Sequence, residues 1–154
     1  MDTAVGFRLA LPGNVERVID GGAALIFIYP DARSVTLVST FENDLSGWFE
    51  GKDTSLAEFV RMVFDPSTPV DIPLGDVAQE MRDALLHGET RVLRYSTGPV
   101  EIHRLMFTED PTRGLRERAF VTSDTVPHAQ LEISAEGIST KEFEEILSSL
   151  GTWN

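Results

Sequence analysis

Hydrophobic and polar positions follow two periods along this chain. Ala23 to Phe41 carries the strongest strand pattern. It holds an apolar run (Leu25-Ile26-Phe27-Ile28-Tyr29), a short polar break (Asp31–Ser34) and an alternating run from Val35 to Thr40. Two β-rich runs around a polar break predict an antiparallel hairpin. The first run is apolar on both faces, which places it in the middle of a sheet covered on both sides. Ahead of it, Gly6–Leu11 puts Phe7, Leu9 and Leu11 on one face of a short strand. Val15–Asp20 reads as a weak strand or a loop.

The helical period appears in three places. Leu56, Phe59, Val60, Val63 and Phe64 recur at i, i+3, i+4, i+7 and i+8, and Ser55 with Glu58 makes a capping box at the start. Asp65-Pro66 stops that helix. A second helix is expected from about Asp76 to His87, with Asp76 and Gln79 as its box, Val77, Met81, Ala84 and Leu85 inward, and Gly88 as its stop. The third runs from Thr140 to Leu150. It has a Ser139/Glu142 box, an inner line of Phe143, Ile146, Leu147 and Leu150, and Gly151 as terminator. Between the second and third helices lie four β segments. These are Thr90–Ser96, Val100–Thr108, Leu115–Ser123 and Ala129–Ser134, separated by turn-forming loops including Thr97-Gly98-Pro99 and Glu109–Gly114.

Short strand-to-strand links favour antiparallel pairing. The expectation is a single α+β domain over residues 1–154: one mostly antiparallel sheet of about six to seven strands, covered by three helices. The hydrophobic fraction of 42% suits a packed core rather than disorder.

Charge narrows the function classes. Thirteen basic residues against 25 acidic ones give a net charge of −12. That disfavours nucleic acid, whose phosphates demand the opposite sign, and favours cationic partners. The charge is uneven: residues 1–89 carry 6 basic and 15 acidic residues, whereas residues 90–118 carry 6 basic and 4 acidic ones. There are no cysteines, so disulfides, thiolate catalysis and Cys-ligated zinc are excluded. No stretch approaches a membrane span, and the N-terminus has no signal-peptide pattern, so the expectation is a cytoplasmic protein with no membrane partner.

Catalytic motifs are missing. His87, His103 and His128 have no metal-ligand spacing, so no metal and no cofactor is expected. There is no G-x-S-x-G and no phosphate loop. Glu101 and His103 share a strand face and could act as a general base, although a solvated polar face is the simpler reading. Arg91, Arg94, Arg104, Arg113, Arg116 and Arg118 cluster in sequence. Arg94, Arg104, Arg116 and Arg118 could form an anion-binding sheet face. With 25 acids available, pairing with the chain's own carboxylates is the simpler account. The loop Phe41–Asp53 is the better candidate: Glu42, Asp44, Glu50 and Asp53 surround Trp48 and Phe49. Aromatic anchors inside a charged rim suit a protein-binding hot spot. The alternative is that Trp48 or Phe49 plugs the core.

The opening F-x-L-x-L-P (Phe7–Pro12), the hairpin Ala23–Phe41 and the closing I-L-x-S-L within Phe143–Leu150 resemble, in their order, the Mog1/PsbP-like superfamily. That resemblance implies a mainly non-enzymatic role, because the group includes small-GTPase partners, photosystem subunits, lipoproteins and effector chaperones. It assigns no binding residue here. The expected function is therefore a non-enzymatic, acidic, bacterial-type protein-binding module. An immunity protein neutralising a cationic toxin and a secretion-effector chaperone are examples. A small-molecule-binding protein or enzyme using the arginine-bearing face, and a structural subunit of a larger assembly, are the alternatives.

Overall fold

The computed structural model describes residues 1–45, 47–86, 90–106 and 116–153. Its elements are β1 (Phe7–Arg8), β2 (Arg17–Asp20), β3 (Ala24–Ile28), β4 (Ser34–Phe41), α1 (Leu56–Phe64), α2 (Gly75–Leu85), β5 (Arg91–Thr97), β6 (Val100–Met106), β7 (Arg116–Ser123), β8 (Ala129–Glu136), α3 (Thr140–Ser148) and β9 (Gly151–Thr152). Seven strands form one antiparallel sheet in the order β2-β3-β4-β8-β7-β6-β5. A small antiparallel pair, β1 with β9, lies outside it. With three helices this is the expected α+β fold. No described helix is long and apolar enough to cross a membrane.

Alternation along the strands creates two different faces. One carries Val35, Leu37, Val100, Ile102, Val121, Leu131 and Ile133, all buried. The inner line of α3 (Phe143, Ile146 and Leu147) packs here with Phe7 and Leu9 from the N-terminal segment. The other face carries Leu105 and Phe120, covered by Leu56, Phe59, Val60 and Val63 of α1 and by Ala78 of α2. α1 lies on the sheet at β7 and β8, and α2 packs against α1. Beyond them this face stays open over β4 and β3, where Ile26, Ile28, Thr36 and Val38 are only half-buried.

The hairpin forms with its break at Pro30–Arg33, but β3 is not central. It is second from the edge, and its apolar run is covered on one face only. Phe27 and Tyr29 are buried while Ile26 and Ile28 are half-buried. The reason is long-range: β4 pairs with β8 on its far edge, Leu37 opposite Ile133, and β7 and β6 extend the sheet from there. The strands buried on both faces are β6 and β7.

Both strong capping boxes are present. Ser55 accepts from the Glu58 amide at 3.2 Å, and Glu58 accepts from the Ser55 amide at 2.8 Å. Ser139 and Glu142 reproduce the arrangement in α3. The α2 box does not form. Leu74 precedes that helix with φ +64° and no side-chain cap, and Asp76 accepts from the Val77 amide instead. The chain turns so tightly there that a Cβ on Gly75 would stand 2.0 Å from the Pro69 carbonyl oxygen, so no other residue fits without movement. At the far end, Gly151 does not simply terminate α3 but begins β9. The expected stop at Gly88, along with His87, Arg113 and the loop Glu109–Gly114, lies outside the described residues.

Candidate functional site

The loop after β4 is anchored from both ends. Asp44 accepts from the Phe41 amide at 2.8 Å. Glu42 shares one carboxylate oxygen between His128 Nδ1, at 2.7 Å, and the Leu56 amide, at 3.3 Å. Those two acids therefore hold the loop in place. Glu50 and Asp53 are exposed and make no ion pair among the described residues. The two aromatics separate. Phe49 is buried against the Phe59 ring, edge to face at 5.7 Å, and belongs to the core under α1 and α2. It is not a surface anchor. Trp48 is 38% exposed, and its ring also meets Phe59, at 6.1 Å and edge to face. The Lys52 ammonium donates to the Trp48 carbonyl at 2.7 Å and fixes the turn.

Trp48 stands at one side of a groove of about 230 Å³ between the helices and the open sheet face. Its helical wall is apolar: Leu56, Phe59, Val63, Met81 and Leu85. Its sheet wall is mostly polar: Thr40, Gln130, Arg118 and Glu132, with the Phe120 ring among them. Thr40 lies directly opposite Gln130, and Glu132 directly opposite Phe120. Arg118 Nε donates to Glu132 Oε1 at 2.6 Å, and the guanidinium lies 4.9 Å from the Phe120 ring centroid.

The arginines do not converge on an anion. Arg94, Arg116 and Arg118 share a face, whereas Arg104 lies on the opposite one. Each is matched to a carboxylate: Arg94 to Glu101 at 3.0 Å, Arg116 to Glu136 at 3.0 Å, and Arg118 to Glu132. Arg104 is buried and held by Glu117 at 3.1 Å and by Glu144 at 3.2 Å. Because the cations are used internally, the acid excess is left outward. On α2, Asp76, Glu80 and Asp83 fall at i, i+4 and i+7 on the exposed side and form no ion pair among the described residues.

Glu101 and His103 do approach, at 3.3 Å, but His103 is 1% exposed and stacks under the Phe64 ring at 4.8 Å. This corrects the expectation of a solvated polar face. A general base must reach its substrate, and this imidazole is sealed beneath α1. Burial pushes His103 down to about 4, against the pull of Glu101, with Arg94 and Arg61 adding to the fall. For Glu101, burial acts upward. The Arg94 and Arg61 guanidinium groups outweigh it and hold the carboxyl below its usual range.

This has a measurable consequence. The unfolded chain binds a proton at His103 near pH 6.5, but the folded chain does so only near 4. Between those values the unfolded state holds more protons, so stability falls as pH drops through that window. The loss reaches on the order of 2–3 kcal/mol. His103→Leu should flatten the decline in denaturant melts between pH 6.5 and 4; an unchanged slope would show that His103 does not carry it.

Among the described residues no group of three or more potential ligands could hold a metal ion. No family model matches the chain, and no curated protein does. A solved structure from Bacteroides thetaiotaomicron VPI-5482 superposes with a TM-score of 0.51 at 15% identity, over 96% of this chain and 45% of that one. The chain thus spans about half of that protein's length, and the likeness is one of fold alone.

Proposed function

We propose that this chain is a non-enzymatic binding module whose acidic face captures a cationic protein, as an immunity protein or an effector chaperone would. The observation that carries the reading is Trp48. It is 38% exposed, steadied edge-on by Phe59, and set beside a groove with an apolar helical wall, in a loop whose Glu50 and Asp53 meet no cation among the described residues. A large, rigid aromatic next to an unfilled apolar surface is the usual make-up of an interface hot spot. The unpaired acids of that loop and of α2 supply the long-range attraction.

The size of the groove favours this reading over a small-molecule site. Pockets that enclose such ligands measure roughly 300–1,000 Å³. The groove here, at about 230 Å³, suits a side chain or two from a partner. One observation favours the structural-subunit reading instead: Val18 and Ile19 on the edge strand β2 are 51% and 39% exposed. The two readings part on mutation. For a partner identified by pull-down, Trp48→Ala should weaken binding by about 2–4 kcal/mol through faster dissociation. Wild-type binding by that variant, or a loss matched by Val18→Ser instead, would overturn the proposal.

A further inference from the structure

The Arg118–Glu132 pair on the sheet wall is only half used. One guanidinium nitrogen meets one carboxylate oxygen. Among the described residues, the two Nη groups of Arg118, the second oxygen of Glu132, the Thr40 hydroxyl and the Gln130 side-chain amide make no hydrogen bond. The pair therefore places free donors beside a free acceptor, at zero net charge, facing an apolar wall of Leu56, Phe59, Met81 and Leu85. A carboxylate entering there would meet Glu132, and an ammonium would meet Arg118. A group that both donates and accepts satisfies both without that repulsion, and a peptide amide is such a group.

Resting on the protein-binding reading above, we infer that the groove takes one uncharged apolar residue of the partner, the size of leucine, with its flanking peptide groups bound by Arg118, Glu132 and Gln130. The partner's cations meet the outer acids, not the groove. Recognition is divided: shape and amide dipole inside, charge outside.

Three probes with the same isobutyl side chain test this: neutral N-acetyl-leucinamide, anionic N-acetyl-leucine and cationic leucinamide. The protein is the full chain carrying Trp153→Phe, which leaves Trp48 as its one tryptophan. N-acetyl-leucinamide should shift Trp48 fluorescence saturably, with a Kd on the order of 1 mM for a ligand of this size. Both charged probes should bind at least about tenfold more weakly, because each leaves one partner of the ion pair facing a like charge. Amide NMR shifts should concentrate at Thr40, Gln130 and Met81. Removing one charge should invert the order: Arg118→Met should favour leucinamide, and Glu132→Gln should favour N-acetyl-leucine. Thermal melts confirm that each variant is folded.

Equal binding of the three probes, tighter binding of either charged one to the wild-type wall, or no saturable shift with N-acetyl-leucinamide would overturn the inference. So would shifts centred on α3, or a wild-type dimer in sedimentation that the neutral probe dissolves, which would make a second copy the occupant. These probes report on the groove without any partner. If they fail while Trp48→Ala still weakens a cationic partner, the groove assignment falls and the binding-module reading stands. If they bind while no acidic or Trp48 variant affects capture, the groove assignment stands and the acidic face with Trp48 is not where the partner docks.

Discussion

Arg104→Ala should destabilise the fold by about 3–5 kcal/mol, far more than an exposed arginine would. Arg104 is 2% exposed and bonds Glu117 through two nitrogens, at 3.1 and 3.2 Å. Its guanidinium also lies 5.4 Å from the Phe143 ring centroid and reaches Glu144 on α3. Removing it leaves the Glu117 carboxylate, itself 6% exposed, with the Thr140 hydroxyl as its one remaining side-chain donor among the described residues. The cost comes from stranding that charge rather than from losing a net attraction. Replacing both partners, as in Arg104→Met with Glu117→Leu, should recover most of the loss. Urea melts of the three variants check this. A single variant within about 1 kcal/mol of wild type would mean that Glu117 is rehydrated.

A still larger effect is expected from truncation after Gly137, which removes α3 and β9. Phe143, Ile146, Leu147 and Leu150 are each at most 3% exposed. Burying such side chains contributes about 1.5–3 kcal/mol apiece, and a domain's whole stability is about 5–15 kcal/mol. Loss of the helix also uncovers Val35, Leu37 and Ile133 on the sheet. The truncated chain should therefore show no cooperative unfolding transition by circular dichroism. A sharp melt would mean that α3 is an appendage and that the sheet holds its core without it.

What could be read from the sequence follows the range of the interactions. α1 and α3 were legible because their signals are local: Ser55 with Glu58 and Ser139 with Glu142 lie one turn apart and cap as expected. The centre of the sheet was not, because it depends on β4 meeting β8. Period-two patterning identifies a strand without identifying its neighbour. β6 shows the same limit. Its polar residues suggest exposure, yet Val100, Ile102 and Arg104 share one face and Glu101, His103 and Leu105 the other, and both faces are covered. The placement of Arg104 beside two apolar residues was the available hint of burial.

The candidate site divides in the same way. Trp48 and the acids around it stand out in the sequence because they are adjacent. Burial of Phe49 depends on where α1 docks, which the loop itself does not encode. The groove's sheet wall joins Thr40 to Gln130 through strand pairing, so only the fold brings it together.

The measurement that tests the central claim most directly is the association rate of the cationic partner at two salt concentrations. It compares wild type with Glu50→Gln, Asp53→Asn and Glu80→Gln combined, three exposed acids outside the loop's own anchoring bonds. If the acidic face steers capture, the triple variant should associate several-fold more slowly at low salt. The difference should shrink at about 0.5 M, where screening acts over only a few ångströms. Dissociation should be little changed. An association rate equal to wild type at low salt, or a deficit that persists unchanged at high salt, would contradict the account.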